Sequence, residues 1–135
     1  MKKLVLLPFT IVLLTTPTLA YKQADLDKLR ATNKCARCDL KGADLSNANL
    51  RKAELHEADL SEANLPGVDL SEAILYKASL YKANLYRANL KKADLKRANL
   101  FNALLRGAAL DSADLMDAKF CNTILPSGNP TFKDC

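Results

Sequence analysis

The sequence predicts an all-β solenoid, and three observations carry that expectation. Every fifth residue from position 40 to 115 is leucine, sixteen in succession, and Phe120 and Leu125 extend the series to eighteen positions. Two places before each of these stands alanine in fifteen of the eighteen cases, the exceptions being Cys38, Val68 and Thr123. The residue between is usually Asp or Asn, so the chain reads ADL and ANL throughout.

Five residues advance an α-helix by about 500°, which would displace successive leucines by about 140° and spread them around the cylinder. Extended chain suits the pattern better, because residues two apart share a face: Ala and Leu point inward and the polar residue outward. The next Ala comes three residues later, so the chain must turn once per pentad, at the two residues after each leucine. Repeated turns of one hand wind a coil whose narrow interior is filled by Leu and Ala. The predicted core is Leu40, Leu45, Leu50, Leu55, Leu60, Leu65, Leu70, Leu75, Leu80, Leu85, Leu90, Leu95, Leu100, Leu105, Leu110, Leu115 and Phe120.

The elements follow in order. With 135 residues, 49% of them hydrophobic and 26% charged, one domain is expected. Residues 1–20, MKKLVLLPFTIVLLTTPTLA, place two lysines before an uncharged run of eleven residues and end in small Ala20, the layout of a secretory signal peptide. That apolar run is shorter than the ~20 residues a membrane span needs, so no stable span is expected after cleavage. From position 21 onward, eighteen basic and fifteen acidic residues leave a formal charge of +3. Residues 21–35 form an N-terminal cap in which ADLDKLRATN, 24–33, reads as a short helix with Leu26 and Leu29 facing the first coil. The repeats occupy 36–125, and 126–135 is a C-terminal cap; such covers protect the open edges of a β-solenoid from pairing with other chains.

The repeats ADLSN, ANLRK, ADLSE, ANLYR and ADLKR resemble those of the pentapeptide-repeat proteins. The resemblance implies a right-handed quadrilateral β-helix with four pentads per coil, and so about four and a half coils over residues 36–125. The flanking segments LRATNKCARCDL and FCNTILPSGNPTFKDC are similar to those of small exported or lumenal members from oxygenic photosynthetic bacteria. Periplasm or thylakoid lumen is the implied compartment.

In a coil of twenty residues, side chains twenty apart stack in columns. At the second position after each leucine this places Lys52 with Glu72, Glu57 with Lys77, Glu62 with Lys82, Glu72 with Lys92 and Arg97 with Asp117; only Lys77 over Arg97 is unfavourable. The basic belt over residues 76–97 is therefore expected to answer acids one coil earlier. Tyr81 over Phe101 and Tyr86 over Arg106 are expected as aromatic and cation–π pairs. Arg87, Lys91 and Lys96 have no acid directly beneath them and mark a possible partner surface. Leu104 and Ile124 join it, because they replace the outward Asp or Asn and stack in one column. Either the C-terminal tail covers that column, or it meets a partner or a second copy, giving a monomer or a homodimer.

Four cysteines and export together favour disulfides. Cys35 and Cys38 have the spacing of half a zinc site, yet Cys121 lies about four strand spacings, ~20 Å, along the rod. The pairs that remain are Cys35 with Cys38 and Cys121 with Cys135, with two inert thiols the alternative for the first. Closure of the second loop is worth ~3 kcal/mol on the chain-entropy model. His56 falls at a corner with no evident partner. No nucleophile, base and orienting group converge, so no enzyme and no cofactor are expected.

The expected function is that of an exported structural or protein-interaction module. One alternative is a nucleic-acid binder using the basic belt with Tyr76, Tyr81 and Tyr86 stacking bases, or a DNA mimic, which the positive charge and export signal oppose. The other is a thiol–disulfide enzyme using Cys35 and Cys38, which lacks the usual βαβ setting.

Overall fold

A computed structural model describes residues 21–135 together with Lys3; the predicted signal peptide, residues 1–20, otherwise lies outside the described residues. Parallel bridges join residues twenty apart at every fifth position, from Lys34 with Glu54 to Leu104 with Ile124. Each coil therefore has twenty residues and four walls, arranged as a β-helix. The bridged residues of the first wall are Asp39, Asp59, Ser79, Asn99 and Lys119, and of the second Asp44, Asn64, Asn84, Leu104 and Ile124. The third carries Asn49, Asp69, Asn89 and Ala109, and the fourth Lys34, Glu54, Ile74, Asp94 and Asp114.

The repeat distributes its backbone groups in a fixed way. Leu40 N–H donates to Asp59 O at 2.8 Å, Asp59 N–H donates to Cys38 O at 2.9 Å, and Gly42 N–H donates to Ser61 O at 2.8 Å. The corner is a β-turn closed by Ala43 N–H donating to Leu40 O at 3.0 Å. The N–H of the residue just after each leucine has no place in this scheme. Except at Pro66 and Pro126, which have no N–H, an Asp or Asn standing two positions earlier takes it: Ser61 N–H donates to Asp59 Oδ1 at 2.9 Å, Tyr86 N–H to Asn84 Oδ1 at 3.1 Å and Lys96 N–H to Asp94 Oδ1 at 3.1 Å. The recurrent Asp and Asn are thus turn acceptors, where sequence suggested only solvated side chains.

The last residue of each corner from Arg37 to Asn122 has positive φ, for example 58° at Lys52 and 58° at Lys92. One corner is also tight: a Cβ on Gly67 would stand 2.4 Å from Asn47 Oδ1, so the exposed Asn47 side chain would have to swing aside.

Leucines from Leu40 to Leu105 are buried, together with Val68 and their alanines apart from the partly buried Ala48. Leu110, Leu115 and Phe120, expected in the sealed core, are only partly buried. Leu110 and Leu115 N–H have no backbone acceptor among the described residues, because no further coil lies over the third and fourth walls.

Helix α1, Gln23–Thr32, covers the first coil with buried Leu26 and Leu29. It also supplies substitutes for a missing coil. The Asp25 carboxylate accepts the Asp39 N–H at 2.8 Å, and the Asn33 side-chain amide donates to Arg51 O at 2.8 Å. At the other end β1, Thr123–Ile124, pairs antiparallel with β2, Pro130–Thr131. Phe120 N–H then donates to Asp134 Oδ2 at 2.8 Å, and Asp134 N–H to Phe120 O at 2.8 Å. Among the described residues no helix is long and apolar enough to cross a membrane.

Candidate interaction surface

A β-helix filled with leucine confines chemistry to its walls and corners, and the corners carry most of the charge. The columns pair differently from the sequence expectation. Lys52 does meet Glu72, at 3.6 Å, and Arg97 meets Asp117 at 3.9 Å. Glu57, Glu62 and Glu72, however, turn toward the coil before them: Glu57 to Arg37 at 3.0 Å, Glu62 to Lys41 at 3.8 Å and Glu72 to Arg51 at 2.6 Å. Hydrogen bonding to Arg37 and Arg51 holds the Glu57 and Glu72 carboxyls below the usual range.

The basic belt finds other partners. Lys91 meets Asp111 of the following coil at 3.8 Å, and Lys96 meets Asp94 at 3.3 Å and Asp114 at 3.8 Å. Neither has an acid directly beneath it, where Ser71 and Tyr76 stand, but aspartates above and beside them serve instead. The lysines and arginine that follow the tyrosines lie over those rings: Lys77 over Tyr76 at 5.2 Å, Lys82 over Tyr81 at 5.2 Å and Arg87 over Tyr86 at 5.1 Å. The cation expected on Tyr86 from the next coil, Arg106, is replaced in that role by its sequence neighbour Arg87.

Tyr76, Tyr81 and Tyr86 stand at three different corners of one coil, so they face three directions. The corner between the second and third walls is the distinctive one. Its positions are Ser46, Asn47, Pro66, Gly67, Tyr86, Arg87, Arg106, Gly107, Pro126 and Ser127, with no carboxylate among them. Each of the other three corners carries Glu or Asp: Glu62, Glu72 with Asp111, and Glu57 with Asp117. Arg87 and Arg106 are exposed, and neither has an ion-pair partner among the described residues. Their backbones touch, Arg87 N–H donating to Arg106 O at 3.0 Å. Tyr86 is 37% exposed beside them.

Leu104 and Ile124 lie half-buried on the adjoining second wall, where β2 pairs with the Ile124 backbone. Arg87, Leu104 and Ile124 therefore share one side of the rod. Lys91 belongs to the next corner and Lys96 to the one beyond.

Cys35 is bonded to Cys38, with Cα atoms 5.3 Å apart, and Cys121 to Cys135, with Cα atoms 4.9 Å apart. The first pair is buried against α1, whereas Cys135 is exposed. His56 is half-buried at a corner, its carbonyl accepting the Arg37 N–H at 3.0 Å. Depressions also mark the described surface. One of about 310 Å³ lies between α1 and the second and third walls of the first coil, and one of about 290 Å³ is lined by Tyr76, Lys96, Arg97, Met116 and Asp117. The second has its cations already paired.

The family pattern described as "Pentapeptide repeats" matches residues 34–67, 53–91, 63–100 and 88–126. No curated protein sequence matches the chain. Among solved structures, a pentapeptide repeat protein from the cyanobacterium Cyanothece 51142 is 29% identical with a TM-score of 0.52, over 71% of this chain and 92% of its own. A pentapeptide repeat protein of the Arabidopsis thaliana thylakoid lumen is 26% identical with a TM-score of 0.55, over 67% of this chain and 68% of its own.

Proposed function

Since the chain belongs to the pentapeptide-repeat family, we propose that it is an exported, non-catalytic scaffold whose coils display side chains to a protein partner. The observation that carries this reading is the continuous backbone ladder from Lys34 to Ile124. It fixes every outward side chain in a row at strand spacing, about 4.8 Å, so the exterior is a preorganised surface. Binding to such a surface forfeits little conformational entropy on the scaffold's side. The coils wind right-handed in this reading, the hand that the family resemblance implies.

Export is supported by the N-terminal pattern, by two disulfides and by likeness to a protein of the thylakoid lumen. Periplasm and thylakoid lumen both suit it. Nucleic-acid binding fits less well, because the tyrosines face three directions with cations already over their rings. DNA mimicry requires a negative surface, and this one is net positive. Thiol–disulfide exchange requires an accessible sulfur, yet Cys35 and Cys38 are 0% and 4% exposed.

Fractionation of cells expressing the tagged full-length chain, with N-terminal sequencing, tests the reading. The expected product begins at Tyr21 outside the cytoplasm and crosslinks there to protein. An uncut chain retained in the cytoplasm overturns export, and crosslinking only to nucleic acid overturns the scaffold role.

A further inference from the structure

We propose that the corner between the second and third walls is a docking surface for an acidic segment of another polypeptide, whose carboxylates Arg87 and Arg106 receive. The proposal rests on the reading of the chain as a protein-binding scaffold and adds to it a place and a partner chemistry.

Three corners of the rod set acids among their bases, and ion pairs there occupy Arg37, Lys41, Arg51, Lys52, Lys91, Lys96 and Arg97. The fourth holds two guanidiniums and no acid along its whole length. A planar guanidinium presents paired N–H donors that match a carboxylate, so an exposed and unpaired arginine is a ready receptor for one.

Geometry around the two arginines suits an extended chain. Arg87 and Arg106 are rooted on successive coils, joined by the 3.0 Å backbone hydrogen bond. Side chains on one face of an extended strand recur at about 6.8 Å, a spacing that flexible arginines on neighbouring coils can span. Gly67 precedes Arg87 in its column and Gly107 follows it. The Arg87 stem lies against Gly107, where a Cβ would come within 3.1 Å of its Cγ. Tyr86, 37% exposed with Arg87 over its ring, and half-buried Leu104 on the adjoining wall supply apolar surface beside the two guanidiniums. Arginine and tyrosine are the residue types that dominate binding energy at protein interfaces.

A polypeptide fits this corner better than a nucleic acid does. A protein that holds nucleic acid firmly through phosphates makes about six to ten such contacts, and here two cations stand beside an apolar wall that a phosphate backbone would leave uncovered.

Fluorescence anisotropy on the purified, oxidised protein tests the proposal. The probes are a labelled peptide alternating Glu and Leu, its Ser–Leu counterpart and a labelled single-stranded oligonucleotide. The Glu–Leu peptide is expected to bind. The double variant Arg87→Ala, Arg106→Ala should weaken it about tenfold or more, while Lys91→Ala, Lys96→Ala should change it less than about twofold. Matching thermal melts establish that both variants are folded.

Equal loss in the two double variants would assign binding to diffuse charge and overturn the corner. Equal affinity for the Ser–Leu peptide would overturn the acidic partner, and absence of any peptide binding would overturn the whole proposal. Each of these leaves the scaffold reading standing on its crosslinks. Tighter binding of the oligonucleotide than of either peptide would overturn both.

Discussion

Asp69 accepts hydrogen bonds from the Ser71 N–H at 2.9 Å, the Ser71 hydroxyl at 2.6 Å and the Asn89 amide at 3.1 Å. One carboxylate thereby closes its own turn and reaches the next coil. The Ser71 contacts hold its carboxyl below the ordinary value of 3.8, and Ser46 does the same for Asp44. Glu57 and Glu72 are held below 4.5 by Arg37 and Arg51. A carboxylate with a depressed folded-state pKa contributes stability that is complete above its unfolded pKa and disappears as pH falls through the folded one. The urea midpoint should therefore hold steady above about pH 5 and decline as pH drops below the ordinary carboxylate range of about 4. Asp69→Ala should lower the neutral-pH stability by about 1–3 kcal/mol and make the decline shallower. A midpoint that rises on acidification contradicts this account.

At the scale of elements, the two ends are closed by different means. Helix α1 imitates a coil with Leu26 and Leu29 in the core and with Asp25 and Asn33 as hydrogen-bond substitutes. The tail from 126 to 135 instead lies across the first and second walls, tied by β2, Asp134 and the Cys121–Cys135 bond. Its disulfide is the accessible one. Graded dithiothreitol with alkylation and mass spectrometry should label Cys121 and Cys135 well before Cys35 and Cys38, and proteolysis should then remove the tail first. Simultaneous labelling of all four sulfurs would contradict the difference in burial.

Much of this was legible in the sequence. A fifth-residue leucine period excludes a helix by geometry alone, and the segment around Leu26 and Leu29 announced a cap because its period changed to that of a helix. What stayed hidden was direction. A column shows that Glu57 has bases both before and after it, at Arg37 and Lys77, but not which way the side chain leans. The role of Asp and Asn was hidden too, since only the full backbone scheme reveals one N–H per corner without an acceptor. Arg106, half of the proposed docking corner, is masked in the sequence by its column pairing with Tyr86; the absence of acids along its corner was the available signal.

As a whole molecule, the rod is a sum of nearest-neighbour interfaces, so the effect of a core substitution should depend on where its coil lies. Leu80 is fully buried between coils, whereas Leu115 has nothing stacked above it. Leu80→Ala should cost about 2–5 kcal/mol and Leu115→Ala clearly less, as read by urea unfolding. Equal losses would mean that the tail seals the last coil as fully as another coil does.

The ladder that makes the exterior rigid also fixes how the rod yields to tension. Bonds between coils run along the rod axis, so a pull on the two ends loads one coil interface at a time and peels the chain instead of shearing it. Each coil of twenty residues releases about 70 Å of slack when it opens. The Cys121–Cys135 bond exempts the last loop from that extension. A scaffold built this way gives up length in discrete lots under load, and the coils still closed keep their surface intact for whatever is bound to them.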